Sequence, residues 1–512
     1  MNGDHARSAE LLASLAEAQP DQVDIARKAL GESIGSGQMD LALRLSQRLP
    51  ATKLPIEARL LLVADSIKRG HIDRAQEWLA VKGDTGDLTF LTPLLTAWDA
   101  VGRGDTELAL NTIDAIPPNS LLGPLRAEER AFILLKFHRA AEAEPFARRA
   151  IGGAGGRENR LRLAFADGFL AAGDRDRALA MIEGMGAEAA IARQRVLAGK
   201  IGGQAIDNLP EAFSESLMAF VGDLARLQRG SPPIGLAQVA RYANPQNTGA
   251  TAVLALLLDQ EQRGNEALAL LRSVPRDDAQ ITQILDVETK ILTNDKKLDE
   301  AYAIASAAAA APGASIPDYS RLGDVYEAMK RHDLAAVAYS KAVAMARQQG
   351  LKADLWPILL LQASALEQAN RWPETKAALQ EALTIAPEQP LLLNFMGYAL
   401  LEHGENLDAA EAMIRKASDL APDDASITDS LGWALFKRGK VDDAISTLQR
   451  AAEKDPEQAE IQEHLGDALY RSGRKFEARF AWEAALVSAE DDMAGRVKAK
   501  LASGLTTVNA AP

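Results

Sequence analysis

A repeat of about 34 residues runs through most of this chain of 512 residues. Glycine recurs at this spacing between stretches whose apolar residues lie three and four apart, which is the period of an amphipathic helix. The steps between successive glycines are 34, 33, 34, 69, 91, 140, 35 and 34 residues, and only 91 is far from a multiple of the period. The glycines are Gly3, Gly37, Gly70, Gly104, Gly173, Gly264, Gly404, Gly439 and Gly473. This period predicts an array of similar helical units, each packed on its neighbours.

Where glycine is missing, other residues stand near the expected turns. They are His138, Lys296, Lys330 and Asn370. The spacing between the last two is 40 residues, which predicts longer helices in that repeat. We count about twelve complete helix pairs in the chain.

The last three repeats show what one unit contains. Each has an apolar residue followed by glycine, then a turn, an alanine, and a large apolar residue four positions after the alanine. Glycine and alanine allow two helices to approach closely, and proline closes the second helix in the first two of these repeats. The glycines are Gly397, Gly432 and Gly466, the alanines Ala410, Ala444 and Ala478, the apolar residues Ile414, Leu448 and Trp482, and the prolines Pro422 and Pro456.

This pattern resembles the tetratricopeptide repeat (TPR), and "DYSRLGDVYEAMKRHDLAAVAYSKAV" (318–343) matches it again with Leu322, Gly323, Tyr326, Ala335, Tyr339 and Ala342. The resemblance is strong over 317–490 and weaker, but in period, over 3–183. It implies an all-α fold: an α-solenoid of TPR helix hairpins wound as a right-handed superhelix. Such a fold is expected to bind other proteins.

The irregular stretch 184–250 divides the predicted array. Its glycine- and proline-rich turns lie between helical patterns of uneven length, so two divergent pairs or a junction between two arcs both fit. We therefore predict an N-terminal TPR-like solenoid over 1–183, an irregular helical junction over 184–250, and a C-terminal TPR solenoid over 251–486. Residues 487–512 are predicted to form a polar capping helix and a frayed tail, because open solenoid ends need a polar cap.

Charge and composition exclude several classes of function. The net charge of −14 argues against a nucleic-acid binder, which presents a basic stripe. The chain has no cysteine, which excludes disulfides, thiolate sites and lipidation of an N-terminal cysteine. No apolar run is long enough to span a membrane, and the first thirty residues contain no signal peptide.

The first twenty residues bear on where the protein is located in the cell. The helix after Gly3 has an apolar face at Leu11, Leu12 and Leu15 with no partner before it in the sequence. When the 34-residue repeat is aligned on Gly3, the chain starts inside a repeat. We therefore expect an upstream helix, which a signal or lipid-anchor segment could precede. The protein is cytoplasmic if the sequence is taken literally, and periplasmic or outer-membrane-associated if an upstream signal was removed.

The candidate catalytic and metal-binding motifs do not converge on a site. Ser33 satisfies G-x-S-x-G, but no strand precedes it, as that motif requires. "IGGAGG" (151–156) lacks the Lys-Ser/Thr of a phosphate loop, which predicts a linker. Five histidines fall at different hairpin turns and His464 stands alone on a first helix, so solvated side chains are favoured over a metal site. We predict no catalytic residue, no cofactor and no metal.

A surface for partners remains. With the glycine of the Leu-Gly pair counted as position 8, positions 5, 9 and 12 lie on one face of each first helix. In the last three repeats this face is aromatic and acidic, unlike the TPR subclass that clamps C-terminal carboxylates with Lys and Asn. It suits an apolar or basic segment of a partner protein or peptide, although packing between neighbouring first helices would equally account for the aromatic residues. The predicted surface comprises Asn394, Tyr398, Asp429, Trp433, Phe436, Glu463, Asp467, Tyr470 and Arg471.

The sequence therefore predicts a non-enzymatic scaffold or adaptor that binds proteins on its concave face. Residues 390–486 resemble long bacterial TPR proteins of the cell envelope, and some of those relatives are lipoproteins that act as adaptors for a carboxyl-terminal-processing protease. The alternatives are a regulatory subunit of an enzyme complex, with chemistry in 184–250, and a cytoplasmic assembly chaperone. The sequence names no partner and no oligomeric state.

Overall fold

The protein folds entirely into helices over the part of the chain that its structure, a computed structural model, describes. That part comprises residues 4–82, 86–186, 189–200, 202, 204–227, 231–352, 355–506 and 508–511. Within it lie 29 α-helices and four short 3₁₀-helices, and no β-strand. None of the described helices combines the length and apolarity needed to cross a membrane. The predicted all-α fold is confirmed.

The chain forms two compact units: unit 1 comprises Met1–Met329 and unit 2 comprises Lys330–Pro512. The helices of unit 1 are α1 (His5–Ala18), α2 (Val23–Gly35), α3 (Met39–Ser46), α4 (Ile56–Lys68), α5 (Ile72–Ala80), α6 (Thr92–Gly102), α7 (Thr106–Asp114), α8 (Arg126–Lys136), α9 (Ala140–Gly153), α10 (Glu158–Ala171), α11 (Arg175–Ile182), α12 (Ala189–Leu197), α13 (Leu209–Arg226), α14 (Ile234–Ala243), α15 (Thr248–Gln260), α16 (Gly264–Arg272), α17 (Ile281–Asn294), α18 (Leu298–Ala310) and α19 (Ile316–Ala328). Its 3₁₀-helices are Ala51–Lys53, Thr89–Leu91, Gly123–Leu125 and Gly155–Arg157.

Unit 2 is built from helices of more uniform length. They are α20 (His332–Gln348), α21 (Leu355–Gln368), α22 (Trp372–Ile385), α23 (Pro390–Glu402), α24 (Leu407–Leu420), α25 (Ala425–Lys437), α26 (Val441–Lys454), α27 (Ala459–Arg471), α28 (Lys475–Ser488) and α29 (Asp491–Ser503). At 17 residues α20 is longer than the 14-residue second helices that follow it. The longer helix predicted from the 40-residue spacing is confirmed.

A left-handed turn residue joins the two helices of every pair. Glycine serves at seven of these turns, because its missing Cβ removes the steric cost of a positive φ. The other turns use His138, Gln262, Lys296, Lys330 and Asn370, with φ between 56° and 61°. The four non-glycine turns predicted from the spacing are confirmed. The described residues contain twelve such pairs, interrupted between α11 and α15 by α12, α13 and α14. The turn predicted at Gly264 was wrong, because Gln262 has the positive φ and Gly264 is the first residue of α16.

Two helices of the irregular segment 184–250 pack on earlier helices of unit 1. Helix α13 packs on α4 and α6, and α14 packs on α2 and α4, all of which are first helices of their pairs. Phe213 on α13 is fully buried in the core of unit 1, and the ring of Phe220 meets Phe90 edge-on at 5.9 Å. Helices α13 and α14 of this segment therefore cover the first helices α2, α4 and α6.

The face predicted for the first helix of the chain is only partly correct. In α1 the alanines Ala9, Ala13 and Ala16 are buried against α2, whereas Leu11 and Leu15 are exposed. Leu12 lies between these extremes, half-buried against the core. Small side chains face α2 because they let the two helices approach closely, which turns the leucines outward. Gly3 lies outside the described residues.

Candidate protein-interaction surface

The signature glycines set the orientation of the first helices in unit 2. A Cβ on Gly397, Gly432 or Gly466 would lie only 2.4–2.6 Å from a side-chain atom of Ile414, Leu448 or Trp482, respectively. The glycine side of each first helix is therefore pressed against its own second helix. Positions 5, 9 and 12 point elsewhere, and we call them the first-helix face. On α21, α23, α25 and α27 it consists of Leu360, Ser364, Glu367, Asn394, Tyr398, Leu401, Asp429, Trp433, Phe436, Glu463, Asp467 and Tyr470.

A buried aromatic stack occupies the middle of this face. The Trp433 ring stacks on Phe436 at 4.9 Å and on His464 at 4.1 Å between ring centroids, and Trp433 is only 1% exposed. The Nδ1 atom of His464 lies 2.9 Å from an Asp429 carboxylate oxygen. Burial alone would lower the pKa of His464, but the Asp429 carboxylate outweighs it, and the pKa is raised. His464, predicted to be solvated, is therefore a buried partner of Asp429, and that interpretation was wrong.

The C-terminal end of the face is covered by the chain itself. Lys500 on α29 is fully buried, and its Nζ lies 2.7 Å from both Glu463 and Asp467. Arg496 adds a contact of 2.9 Å to Glu463. Burial raises and these two cations lower the pKa of Glu463, and the net shift is downward. The carboxylates therefore already have cationic partners within the same unit.

The last residues complete this cover. The Ala511 amide donates to Asp467 at 3.0 Å, and a Cβ on Gly504 would collide with the Tyr470 hydroxyl. Asn509 and Ala511 are buried, so these two tail residues pack on the last repeat. Burial raises the pKa of Asp467, although Lys500 and the amide of Ala511 act in the opposite direction.

The remaining part of the face carries polar atoms with no partner. Glu367 Oε2, Asn394 Oδ1 and Trp433 Nε1 are the buried side-chain nitrogen and oxygen atoms without a hydrogen-bond partner in the described part of unit 2. They lie at positions 12, 5 and 9 of three successive first helices. Each buried polar group left unpaired costs about 1–3 kcal/mol. Two acceptors and one donor on the first-helix face are thus both buried and unpaired.

Sequence comparison identifies the repeat. Residues 319–349 and 430–494 match models of the tetratricopeptide repeat. The chain carries tetratricopeptide repeats in these two stretches. The fold is typical of protein-interaction scaffolds rather than of enzymes. No curated protein matches the chain.

Several solved TPR-containing structures are similar to the chain at low identity. A chain of the APC/C hetero-tetramer Cut9-Hcn1 is 15% identical, with 97% of this chain and 99% of that chain covered and a TM-score of 0.40. A tetratricopeptide repeat protein from Parabacteroides merdae is 13% identical over 50% of this chain and 98% of its own, with a TM-score of 0.41. YrrB, described as a TPR protein with an unusual peptide-binding site, is 19% identical over 36% of this chain and 91% of its own, with a TM-score of 0.28.

The nine residues predicted for the TPR surface fall into three groups. Asn394, Tyr398, Phe436 and Tyr470 are half-buried, and Arg471 is exposed. Asp429 and Trp433 are buried in the aromatic stack, and Glu463 and Asp467 are buried under α29. Partner binding by these nine residues stays a prediction. Sequence reasoning missed Glu367, which occupies position 12 of α21 in a repeat where Ala363 replaces the signature glycine.

The candidate catalytic serine does not stand in a catalytic setting. Ser33 lies within α2, is fully buried, and donates its hydroxyl to the Ala29 carbonyl at 2.7 Å. The described residues contain no group of three or more His, Cys, Asp and Glu placed to hold a metal ion.

The segment 184–250 contributes a buried polar network in unit 1. Glu215 accepts from Arg160 at 2.8 Å and from Asn247 at 3.0 Å, and Asn247 caps α15 through Ala250. The same Arg160 donates to the Gln204 carbonyl at 3.0 Å. These groups pair with one another across the segment boundary, which anchors the segment on unit 1.

Proposed function

We propose that the protein is a scaffold whose unit 2 binds an extended segment of a partner protein on the first-helix face of α21, α23 and α25. The observation that carries this proposal is the row of unpaired buried atoms on Glu367, Asn394 and Trp433. A polypeptide backbone supplies both N–H donors and C=O acceptors. Such a segment offers partners of both kinds to these atoms once the side chains that bury them move aside.

The surroundings of these atoms favour an apolar or basic segment. Tyr398 and Phe436 are half-buried beside them and provide aromatic contact area. Burial and nearby carboxylates, Glu402 foremost, raise the pKa of Tyr398, so its hydroxyl stays protonated as a donor. Residues 391–490 contain 19 acidic and 11 basic side chains, which attracts a segment of positive charge.

The test uses a double variant that removes the unpaired oxygen of Asn394 and the charge of Glu367 without opening a cavity. Asn394→Leu combined with Glu367→Gln should abolish capture of partner proteins by the full chain, measured by affinity purification and quantitative mass spectrometry. The thermal midpoint should change little, because Asn394→Leu removes the unpaired buried oxygen together with the 3.2 Å hydrogen bond from its amide to Ser430. A matched control is Gln380→Leu, an exposed position on the second helix α22.

The outcomes separate binding from structure. Loss of a defined set of proteins with the double variant, and its retention with Gln380→Leu, supports the proposal. Equal capture by the parent, the double variant and Gln380→Leu contradicts the proposal, and so does capture by the parent that does not exceed that of an empty bait.

A more specific form of the proposal is an adaptor in the bacterial cell envelope that presents proteins to a processing protease. It rests on the resemblance of residues 390–486 to envelope TPR proteins. Adding the purified chain to a purified carboxyl-terminal-processing protease should then accelerate cleavage of a captured protein. An unchanged cleavage rate would rule out this form and leave the scaffold proposal intact.

A further inference from the structure

A cavity of about 440 Å³ lies in unit 1 between the start of α8, the end of α9 and the end of α13. Phe146, Met218 and Val253 supply much of its apolar lining. Its volume falls within the range of about 300–1,000 Å³ that is usual for small-molecule sites. The glycine-rich segment 151–156, predicted from the sequence to be a linker, contributes to its wall.

The cavity is rich in arginine although the whole chain is acidic. Its lining contains five arginines, Arg126, Arg130, Arg149, Arg157 and Arg226, and three acids, Asp114, Glu128 and Asp223. The lining therefore carries a net charge of 5 − 3 = +2, against −14 for the chain. An excess of guanidinium groups around an apolar floor favours a ligand that is both anionic and apolar.

Three of these arginines are neutralised by the lining acids. Arg157 contacts Glu128 at 2.7 Å, Arg226 pairs with Asp223, and Arg130 pairs with Asp114. The Arg130 guanidinium also lies 4.8 Å from the centroid of the Phe146 ring, which fixes it at the cavity wall. Its Nε is buried and has no acceptor.

The other two arginines have no carboxylate partner among the described residues. Arg126 donates to the Asp114 carbonyl at 2.9 Å and makes no ion pair there. Arg149 is exposed, and no ion pair joins it to a described carboxylate. Its neighbour Arg148 differs, because it points away from the cavity and pairs with Glu144 at 2.9 Å. Two cations at the cavity therefore remain available to an anion.

Two helical glycines lie in the wall of the cavity. Gly153 on α9 and Gly222 on α13 belong to its lining, and a Cβ on either would meet nothing within 4 Å. Glycine inside a helix is less favourable than alanine by about 1 kcal/mol. A side chain at Gly222 would meet no steric obstacle at its first carbon.

We propose that this cavity binds a small organic anion with an apolar body, of the medium-chain carboxylate class. Arg149 and Arg126 hold the carboxylate, for which the planar guanidinium is a matching donor. The alkyl chain lies over Phe146 and Met218.

Octanoate is the probe, added to the full chain in isothermal titration calorimetry. We expect one site per chain, no binding of acetate, which lacks the apolar body, and no binding of octylamine, which carries the opposite charge. Arg149→Gln should weaken octanoate binding about tenfold, which corresponds to about 1.4 kcal/mol. Arg148→Gln, on the same helix but outside the cavity, should leave the affinity unchanged.

A second pair of variants tests the space itself. Gly222→Leu should abolish octanoate binding, whereas Gly102→Leu, an exposed helical glycine on α6 with equal steric freedom, should not. Circular dichroism checks that both variants fold, and the Arg149 pair decides the matter if Gly222→Leu does not. Absence of octanoate binding overturns the proposal. Binding that is equally strong in Arg149→Gln or in a folded Gly222→Leu also overturns it.

Discussion

The two units differ in what covers the first helices of their repeats. In unit 1 the helices α13 and α14 cover α2, α4 and α6, and hydrogen bonds such as Tyr242 to Asp65 at 2.9 Å hold them there. In the described part of unit 2 no inserted helix covers α21, α23 and α25, and only α29 and the tail cover α27. First helices of the same kind of repeat are therefore covered by inserted helices in unit 1, and in the described part of unit 2 they lack such a cover at α21, α23 and α25.

This difference shows why a repeat pattern alone does not locate a binding surface. In a stack of helix pairs, one side of each first helix does not contact its own second helix. That side is covered by another part of the chain, by a partner or by water. Unit 1 pairs some of its buried groups with the inserted helices, as Ser216 on α13 does with Glu129 at 3.1 Å, and it also holds unpaired atoms such as Arg130 Nε. Unit 2 leaves Glu367, Asn394 and Trp433 with unpaired atoms. In unit 2 these atoms lie on first helices that no inserted helix covers among the described residues.

Removing the anchor of the inserted helices should have the largest effect on this comparison. Phe213→Ala leaves a cavity under α13 and should cost about 3–5 kcal/mol of stability. Hydrogen exchange followed by mass spectrometry should show lost protection across residues 4–329 and unchanged protection across unit 2. Phe480→Ala is the control, because Phe480 is exposed and should change stability by about 0.5 kcal/mol or less. Unchanged exchange in unit 1 would contradict a covering role for α13.

Opening the covered end of unit 2 should have the next largest effect. Lys500→Met leaves Asp467 buried without its cation, and loss of one partner of a buried ion pair costs about 3 kcal/mol. Faster hydrogen exchange in α27 and α29 measures this loss. Lys498→Met on the exposed side of the same helix should have no effect, and Asp467→Asn added to Lys500→Met should restore part of the stability. If Lys500→Met is as stable as Lys498→Met, the ion pairs do not hold the cap.

The buried carboxyl under α13 should give a smaller, pH-dependent effect. Burial, and then the charge of Glu128, raise the pKa of Glu129 to about 8, although hydrogen bonds from Trp98 and Ser216 act in the opposite direction. Between pH 4.5 and about 8 the folded state therefore keeps a proton that the unfolded chain has released. Its contribution to stability is complete below pH 4.5 and is lost as the pH rises through 8.

Glu129→Gln removes this titration. From pH 6.0 to 7.5 the variant should gain about 2 kcal/mol relative to the parent, measured by urea unfolding of unit 1. Glu128→Gln is the matched control, because Glu128 is paired with Arg157 and its loss should destabilise the protein at both pH values. A stability difference between Glu129→Gln and the parent that does not change with pH would show that Glu129 is ionised throughout.

Part of the architecture follows from the sequence alone. The 34-residue period located the helix pairs and even the non-glycine turns at His138, Lys296, Lys330 and Asn370, because every pair needs a left-handed residue at the same register. The close helix contact at Gly397, Gly432 and Gly466 was also predictable, since glycine is the residue that permits it. These features depend on residues within one repeat.

The surface itself was decided by contacts between repeats and between distant segments. The pairing of Asp65 with Tyr242 joins residues 177 positions apart, and Lys500 meets Glu463 and Asp467 from a helix outside the pairs. No local pattern reveals that 184–250 covers unit 1, or that His464 lies against Asp429. Periodicity determines which side of a helix faces its own partner, because that choice is local. What covers the opposite side depends on where the rest of the chain folds, and only the tertiary structure determines that.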